Sequence, residues 1–132
     1  MTTQLSQIKW GRVVLTALAV YIASFLTVFL IVTVYASYLG FQARGAPDQT
    51  MIMAFANQYA PWIGPISLII FTILGAMWLA RHAGNAVELH GIVLGVMVSL
   101  VSFIFDGLSV STFVAIVLTI GAGWLGSRLS VK

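Results

Sequence analysis

The chain has 132 residues, of which 61% are hydrophobic and 7% are charged. Soluble domains carry charge on about a quarter of their residues, so this composition excludes an ordinary soluble protein and predicts an integral membrane protein. Because the chain has no cysteine, a disulfide, a thiolate nucleophile and a cysteine metal site are all excluded. The net charge of +3 comes from basic residues spread along an apolar chain. Such residues set membrane topology, and we expect no nucleic-acid binding.

The first predicted element is a long apolar helix over residues 13–38. Lys9, Trp10 and Arg12 precede it and mark a membrane interface. This uncharged run would form a helix of about 39 Å, longer than a hydrocarbon core of about 30 Å. We therefore expect it to tilt or to protrude from the bilayer. A signal peptide is the competing interpretation, but the run far exceeds the usual apolar length of about 7 to 15 residues.

A sizeable connection follows over residues 40–60. Residues 45–47 predict a turn, and Asp48 is placed to cap a following helix. The apolar residues between Met51 and Tyr59 share one helical face until Pro61 interrupts the pattern. This predicts a short interfacial helix between helices 1 and 2, lying in the membrane surface or covering the mouth of the bundle.

Three further spans are predicted over residues 63–80, 86–105 and 108–125. Asp106 and Gly107 form a tight turn between the last two, and Asp106 can cap the fourth helix. The predicted fold is therefore all-α, a four-transmembrane-helix bundle that makes residues 1–132 a single integral membrane domain.

The basic residues predict the orientation of this bundle. Basic loops stay in the cytoplasm, so both termini are expected to be cytoplasmic in a multi-pass protein of the cell membrane. The uneven split also argues against insertion in both orientations. Four spans place Arg44 alone on one side, and on the other side they place Lys9, Arg12, Arg81, Arg128 and Lys132.

Small residues recur at helical spacing on the third and fourth helices. Helices in a membrane associate through close backbone approach, which small residues at four-residue spacing permit. These faces are therefore predicted to form the packing seam of a helix hairpin. The seam consists of Gly91, Gly95, Ser99 and Ser102 on the third helix, and of Ser111, Ala115, Thr119, Ala122 and Gly126 on the fourth.

Three segments carry a resemblance to a known family. They are Gly75–Arg81 (GAMWLAR), Glu88–Gly91 (ELHG) with Gly95, and Gly121–Gly126 (GAGWLG). Over mainly residues 75–129 the chain resembles a family of small bacterial four-helix integral membrane proteins of unknown function. The resemblance implies a compact helical bundle in a bacterial inner membrane. It implies no activity and no functional residue.

Glu88 is the leading candidate for chemistry, because a carboxylate within an apolar span is costly and marks a functional site by default. It precedes Asp106 by about 27 Å of helical rise, which places it close to the inner membrane boundary. There it can pair with Arg81 or help to cap the third helix. A proton or ion ligand and a contact to a partner subunit are the alternatives.

His90 lies two residues after Glu88, so it points to a different side of the helix and the two do not form a dyad. A histidine satisfied at the interface is the leading interpretation. A haem or chlorophyll-type ligand is the alternative, because Gly91 would give a flat ring close access. The sequence contains no metal-binding motif and no nucleophile motif.

The predicted function follows from these exclusions. The chain is expected to be a non-enzymatic protein without a cofactor, in contact with membrane lipids and with other membrane subunits or itself. It would act as an accessory or assembly subunit of a membrane complex, or as a homo-oligomer. One alternative is a transporter or channel for protons or small ions that uses Glu88 with Thr72 and Ser99. Another is a haem- or pigment-binding subunit that uses His90.

Overall fold

The computed structural model describes residues 8–83, 87–106 and 110–130. Their regular structure is entirely helical, which confirms the predicted all-α class with four helices. The helices are α1 Trp10–Ala43, α2 Gln49–Ala83, α3 Val87–Asp106 and α4 Val110–Leu129.

The four helices pack as a bundle in the ring order α1, α2, α4, α3. Each neighbouring pair in this ring is in contact, α2 also touches α3 across the centre, and α1 and α4 do not contact each other within the described residues. The α3–α4 contact is the most extensive. The buried core lies in the half of the bundle where all four helices are present, and includes Val13, Ala17, Leu68, Ala76, Leu94 and Val98.

The connection between α1 and α2 is short and well defined. α1 ends because Arg44 adopts a left-handed conformation with φ of 50°, and the Gly45 N–H then bonds back to the Gly40 carbonyl oxygen at 3.2 Å. α2 begins beside Asp48, whose Oδ1 accepts the Thr50 N–H at 2.8 Å. This hydrogen bond lowers the pKa of the Asp48 carboxyl below its ordinary value.

The expected short interfacial helix is replaced by a continuous one, because α2 runs through both Pro61 and Pro65. A proline removes one helical hydrogen bond, but apolar membrane helices tolerate single prolines. Beside these prolines the hydroxyls of Ser24 and Ser67 lie 2.7 Å apart. Each hydroxyl oxygen also lies within hydrogen-bond distance of the Gly64 carbonyl oxygen, at 3.1 and 2.9 Å, so one hydroxyl donates to that carbonyl and the other can donate to its neighbour. Residues 49–60 therefore extend the second helix instead of ending before it.

The two helix hairpins differ in length. α1 and α2 contain 34 and 35 residues and α3 and α4 contain 20 each, so the first pair is about 20 Å longer at helical rise. Next to Gly75, the side chain of Leu94 lies level with Thr16 and Val20. From Leu94 to its end at Asp106, α3 rises only about 18 Å. The α1–α2 pair therefore extends about 20 Å beyond α3, and we call this part, residues 30–60, the projecting hairpin.

Three of the helices are long and apolar enough to cross a membrane. They are Trp10–Ala43, Gln49–His82 and Val87–Ile104, whereas the apolar stretch described in α4, Phe113–Leu129, is shorter. These helices contain the predicted spans 13–38 and 63–80 and most of 86–105, and they indicate membrane association. Of the predicted turn between α3 and α4, Gly107 lies outside the described residues, as does the side chain of Asp106.

Candidate functional sites

Glu88 lies in the first turn of α3 and pairs with α4. Its Oε1 accepts a hydrogen bond from Arg128 Nε at 3.1 Å, and both side chains are more than half exposed. The Arg128 guanidinium also lies over the Trp124 ring, 4.4 Å from its centroid. Of the two roles expected for Glu88, the pairing with Arg81 is wrong, whereas its place in the first turn of α3 agrees with the capping role. α3 and α4 are antiparallel, so the first turn of α3 meets the last turn of α4 and not the end of α2.

His90 is buried, in contrast to Glu88, with a relative exposure of 1%. Its Nε2 accepts the backbone N–H of Lys9 at 3.5 Å, which joins the start of α1 to α3. An iron ion at this nitrogen would have to replace the Lys9 N–H. The arrangement is that of a histidine satisfied within the fold.

Glycines in α3 allow its backbone to touch that of α4. A Cβ added to Gly91 would overlap the Gly123 carbonyl oxygen and would lie 2.7 Å from Ser127 Cβ. A Cβ added to Gly95 would lie 2.7 Å from Ile120 Cα and 2.8 Å from the Thr119 carbonyl oxygen. Real Cβ atoms do not approach other atoms this closely, so both positions require glycine in this packing.

The α4 side of the predicted seam needs correction. A Cβ at Gly126 would meet the Ile73 carbonyl oxygen and, at 2.9 Å, Ala76 Cβ, so Gly126 faces α2. Residues one position further along the helix, Gly123 and Ser127, face α3 instead. The remaining predicted seam residues comprise Ser99, Ser102, Thr119 and Ala122, which are buried, Ala115, which is half-buried, and Ser111, whose side chain lies outside the described residues.

The residues of the ion-transport alternative are not brought together around Glu88. The hydroxyl of Thr72 donates to the Leu68 carbonyl oxygen at 2.7 Å, and that of Ser99 donates to the Gly95 carbonyl oxygen at 2.8 Å. Ser99 lies about 16 Å along α3 from Glu88 at helical rise. Within the described residues no group of three histidine, aspartate and glutamate side chains could hold a metal ion.

The projecting hairpin carries an aromatic cluster that the sequence patterns did not reveal as a unit. The rings of Tyr35 and Phe55 stack with centroids 4.0 Å apart and planes 14° from parallel, and Tyr59 follows 4.7 Å from Phe55. A shallow cavity of about 350 Å³ lies beside them, lined also by Met51, Ala54 and Gln58. The sequence indicated that Phe55 and Tyr59 share one face of a helix. It could not indicate that Tyr35 joins them, because Tyr35 belongs to another helix.

The rest of the projecting hairpin exposes large apolar side chains. Val34, Phe41 and Met53 are 59%, 84% and 66% exposed, and Arg44 and Asp48 are the only charged residues between positions 30 and 60. Protein interfaces are enriched in aromatic and methionine side chains and depleted of charge at their centres. This surface is therefore apolar, rich in aromatic and methionine side chains and almost uncharged.

Comparisons with protein-family models, with characterised proteins and with solved structures find no match to this chain. The resemblance to small bacterial four-helix membrane proteins therefore stays a prediction.

Proposed function

We propose that this chain is a non-enzymatic, multi-pass membrane protein that acts as an accessory or assembly subunit and binds a partner membrane protein through its projecting hairpin. The observation that carries this proposal is the exposed surface of residues 30–60, with its aromatic cluster and its exposed Val34, Phe41 and Met53. The other form of the proposal, a homo-oligomer, uses the same surface with a second copy as the partner.

The depth of the helices in the bilayer supports this use of the hairpin. α3 is about 30 Å long at helical rise, which equals the thickness of a hydrocarbon core. α3 ends at Asp106, and a charged residue is most stable where the hydrocarbon core meets the outer membrane surface. Trp62 is 71% exposed and lies near the same level, because Gly64 contacts Val28, and tryptophan prefers the membrane interface. Residues 30–60 then extend beyond the lipid tails.

Exposed apolar side chains have different consequences on the two sides of that boundary. Within the bilayer, Phe25 and Leu26 are well exposed, and lipid tails solvate them. Beyond it, Phe41 and Met53 would face water, where burying apolar surface against a protein is favourable. A partner protein that covers the projecting hairpin would remove this apolar surface from water.

The basic residues support the orientation. With four spans, one of them predicted over residues 108–125, both termini lie in the cytoplasm and the projecting hairpin lies outside. Single cysteines at Thr3, Gln49 and Ser130 of this cysteine-free chain test it with an impermeant maleimide added from outside. Gln49 is expected to be labelled and the other two are not. Labelling of Thr3 without Gln49 would reverse the orientation.

Site-specific crosslinking tests the partner. A photo-reactive amino acid at Phe41 is expected to give one discrete protein adduct in native membranes. At Val117, which is 57% exposed on α4, it is expected to give none, because lipid covers that site. A second substitution, Met53→Ser, should weaken the Phe41 adduct. Equal adducts at both positions, or none at Phe41, would refute the proposal, and an adduct twice the mass of the chain would assign the homo-oligomer.

Neither alternative function gains support from the described geometry, because Glu88 is engaged by Arg128 and His90 Nε2 accepts the Lys9 N–H.

A further inference from the structure

An apolar groove runs between α1 and α2 on the outside of the bundle. It has a volume of about 330 Å³ and is lined by Leu15, Ala19, Ala23, Phe71, Leu74 and Trp78. Leu15, Leu74 and Trp78 are 67%, 53% and 49% exposed, so the groove opens sideways toward the lipid. The hydroxyl of Thr16, which also lines it, donates to the Arg12 carbonyl oxygen at 2.7 Å. The groove therefore offers apolar contacts, which suit a hydrocarbon chain.

Basic side chains stand at the end of this groove nearest the start of α1. Arg12 precedes Leu15 by three residues and Arg81 follows Trp78 by three, so each continues the helix stripe that lines the groove by one turn. Both side chains are exposed. Lys9 joins the two helix ends there, because its Nζ donates to the His82 carbonyl oxygen at 3.4 Å.

Among the described residues, no ion pair involves Lys9, Arg12 or Arg81. The ion pair found among the described residues joins Glu88 to Arg128, on the α3–α4 side of the bundle. Asp48 and Asp106 belong to the opposite end of the helices. An apolar groove that ends at unneutralised basic groups is complementary to an amphiphile with a hydrocarbon tail and an anionic head.

We propose that this groove binds one acyl chain of an anionic phospholipid and that Arg12 and Arg81, with Lys9, bind its phosphate. This site goes beyond the proposed partner binding and rests only on the membrane placement in that proposal. The phospholipid would belong to the leaflet at the membrane surface where the chain starts.

A second copy of the chain is the competing occupant, because Ala19 and Ala23 also suit close helix packing. Membrane insertion gives every copy the same orientation. Two copies joined at this groove would therefore bring Arg12 and Arg81 of both to the same depth, where like charges repel each other. A lipid phosphate would neutralise them instead, and this charge complementarity decides for the lipid.

Native mass spectrometry of the full chain in detergent tests the site. The protein is incubated with phosphatidylglycerol or phosphatidylcholine of identical acyl chains, and the bound lipids are counted. Phosphatidylglycerol is expected to be retained preferentially. The double variant Arg12→Gln, Arg81→Gln should bind phosphatidylglycerol about 30-fold more weakly. Arg44→Gln removes a basic group at the opposite end of the helices and should bind this lipid as the unmodified protein does.

A second pair of variants tests the groove itself. Ala19→Leu places a bulky side chain where the acyl chain would lie, and should weaken phosphatidylglycerol binding about tenfold. Gly121→Leu is the matched control, because a Cβ at Gly121 meets nothing within 4 Å. The melting temperature of each variant is measured in the same detergent, and the exposed arginine substitutions keep the test decisive if Ala19→Leu fails to fold.

Several results would refute the proposed lipid site. Equal binding of the two lipids, or a loss in Arg44→Gln as large as in the double variant, would remove the anionic specificity. Displacement of the lipid by inorganic phosphate alone would assign a free-anion site. A delipidated dimer that Ala19→Leu abolishes would assign the groove to a second copy. These lipid measurements use the purified chain, so they do not depend on whether the projecting hairpin has a partner protein.

Discussion

The α3–α4 hairpin and the α1–α2 hairpin are built on opposite principles. In the first, glycines bring two backbones into contact, and Gly91 and Gly95 leave no room for a side chain. The second is about 20 Å longer at helical rise and is held together partly by the aromatic cluster of Tyr35, Phe55 and Tyr59. In the most apolar stretch of α1 17% of residues are buried, against 39% in α3.

This difference separates a closely packed part of the bundle from an exposed one. The buried core and the backbone contacts lie in the part that contains all four helices. The projecting hairpin contains no buried residue and exposes a large apolar surface. Regions of low local stability are those from which binding elements are drawn, which agrees with the proposed use of the projecting hairpin as a binding surface.

The largest expected effect comes from filling the seam of the short hairpin. Gly95→Leu would add a side chain whose Cβ would lie 2.7 Å from Ile120 Cα, and we expect the free energy of unfolding to fall by roughly 3 kcal/mol. Thermal aggregation in one detergent measures it. Gly121→Leu is the control and should be nearly neutral. If the two variants are equally stable, backbone contact does not hold α3 to α4.

A smaller effect is expected in the long hairpin. Phe55→Ala removes the ring that stacks on both Tyr35 and Tyr59, at a cost of about 2 kcal/mol. Hydrogen exchange should show that the loss is confined to residues 30–60. Phe41→Ala, at a side chain that is 84% exposed, should leave the hydrogen exchange unchanged. Global destabilisation by Phe55→Ala would contradict the separation of the two hairpins.

The ion pair at the base of the short hairpin should matter less again. Glu88→Gln removes the charge opposite Arg128. Because both side chains are more than half exposed, we expect the free energy of unfolding to fall by less than about 1 kcal/mol. A double-mutant cycle with Arg128→Gln in detergent measures the coupling, which should shrink as salt is added. Proton flux in proteoliposomes that Glu88→Gln abolishes would favour the ion-transport alternative instead.

The sequence predicted the part of this fold that depends on composition and spacing. Uncharged runs identified the helices. The length of residues 13–38 predicted tilt or protrusion, and α1 is indeed longer than α3 and α4. The glycines of α3 identified its packing face, because four-residue spacing fixes a face of one helix without knowledge of its partner.

What the sequence left open depends on contacts between helices. Pro61 was expected to interrupt a helix, but α2 continues through it and through Pro65. The contacts of Ser24 with Ser67 and Gly64, which join α1 to α2 beside these prolines, link distant positions and left no pattern in the sequence. Arg81, one of the two alternatives expected for Glu88, is not its partner for a similar reason. Glu88 and Arg128 are equidistant from residue 108, so the geometry of an antiparallel hairpin centred there would have identified the pair.

The smallest expected effect is at the start of α2, and it tests whether the projecting hairpin responds to acid independently of the core. Asp48 Oδ1 accepts the Thr50 N–H, and its pKa is lowered below 3.8 in the folded protein. A lowered pKa means that the stabilising contribution is fully present above the unfolded value and is lost as the pH falls through the folded value. Protection of the Thr50 and Met51 amides from hydrogen exchange should therefore fall at acid pH while that of the Leu94 amide does not. Asp48→Asn, whose amide oxygen accepts the same bond without titrating, should make the protection of those two amides independent of pH. If protection at Thr50 and at Leu94 fell together, the hairpin and the core would unfold as one unit.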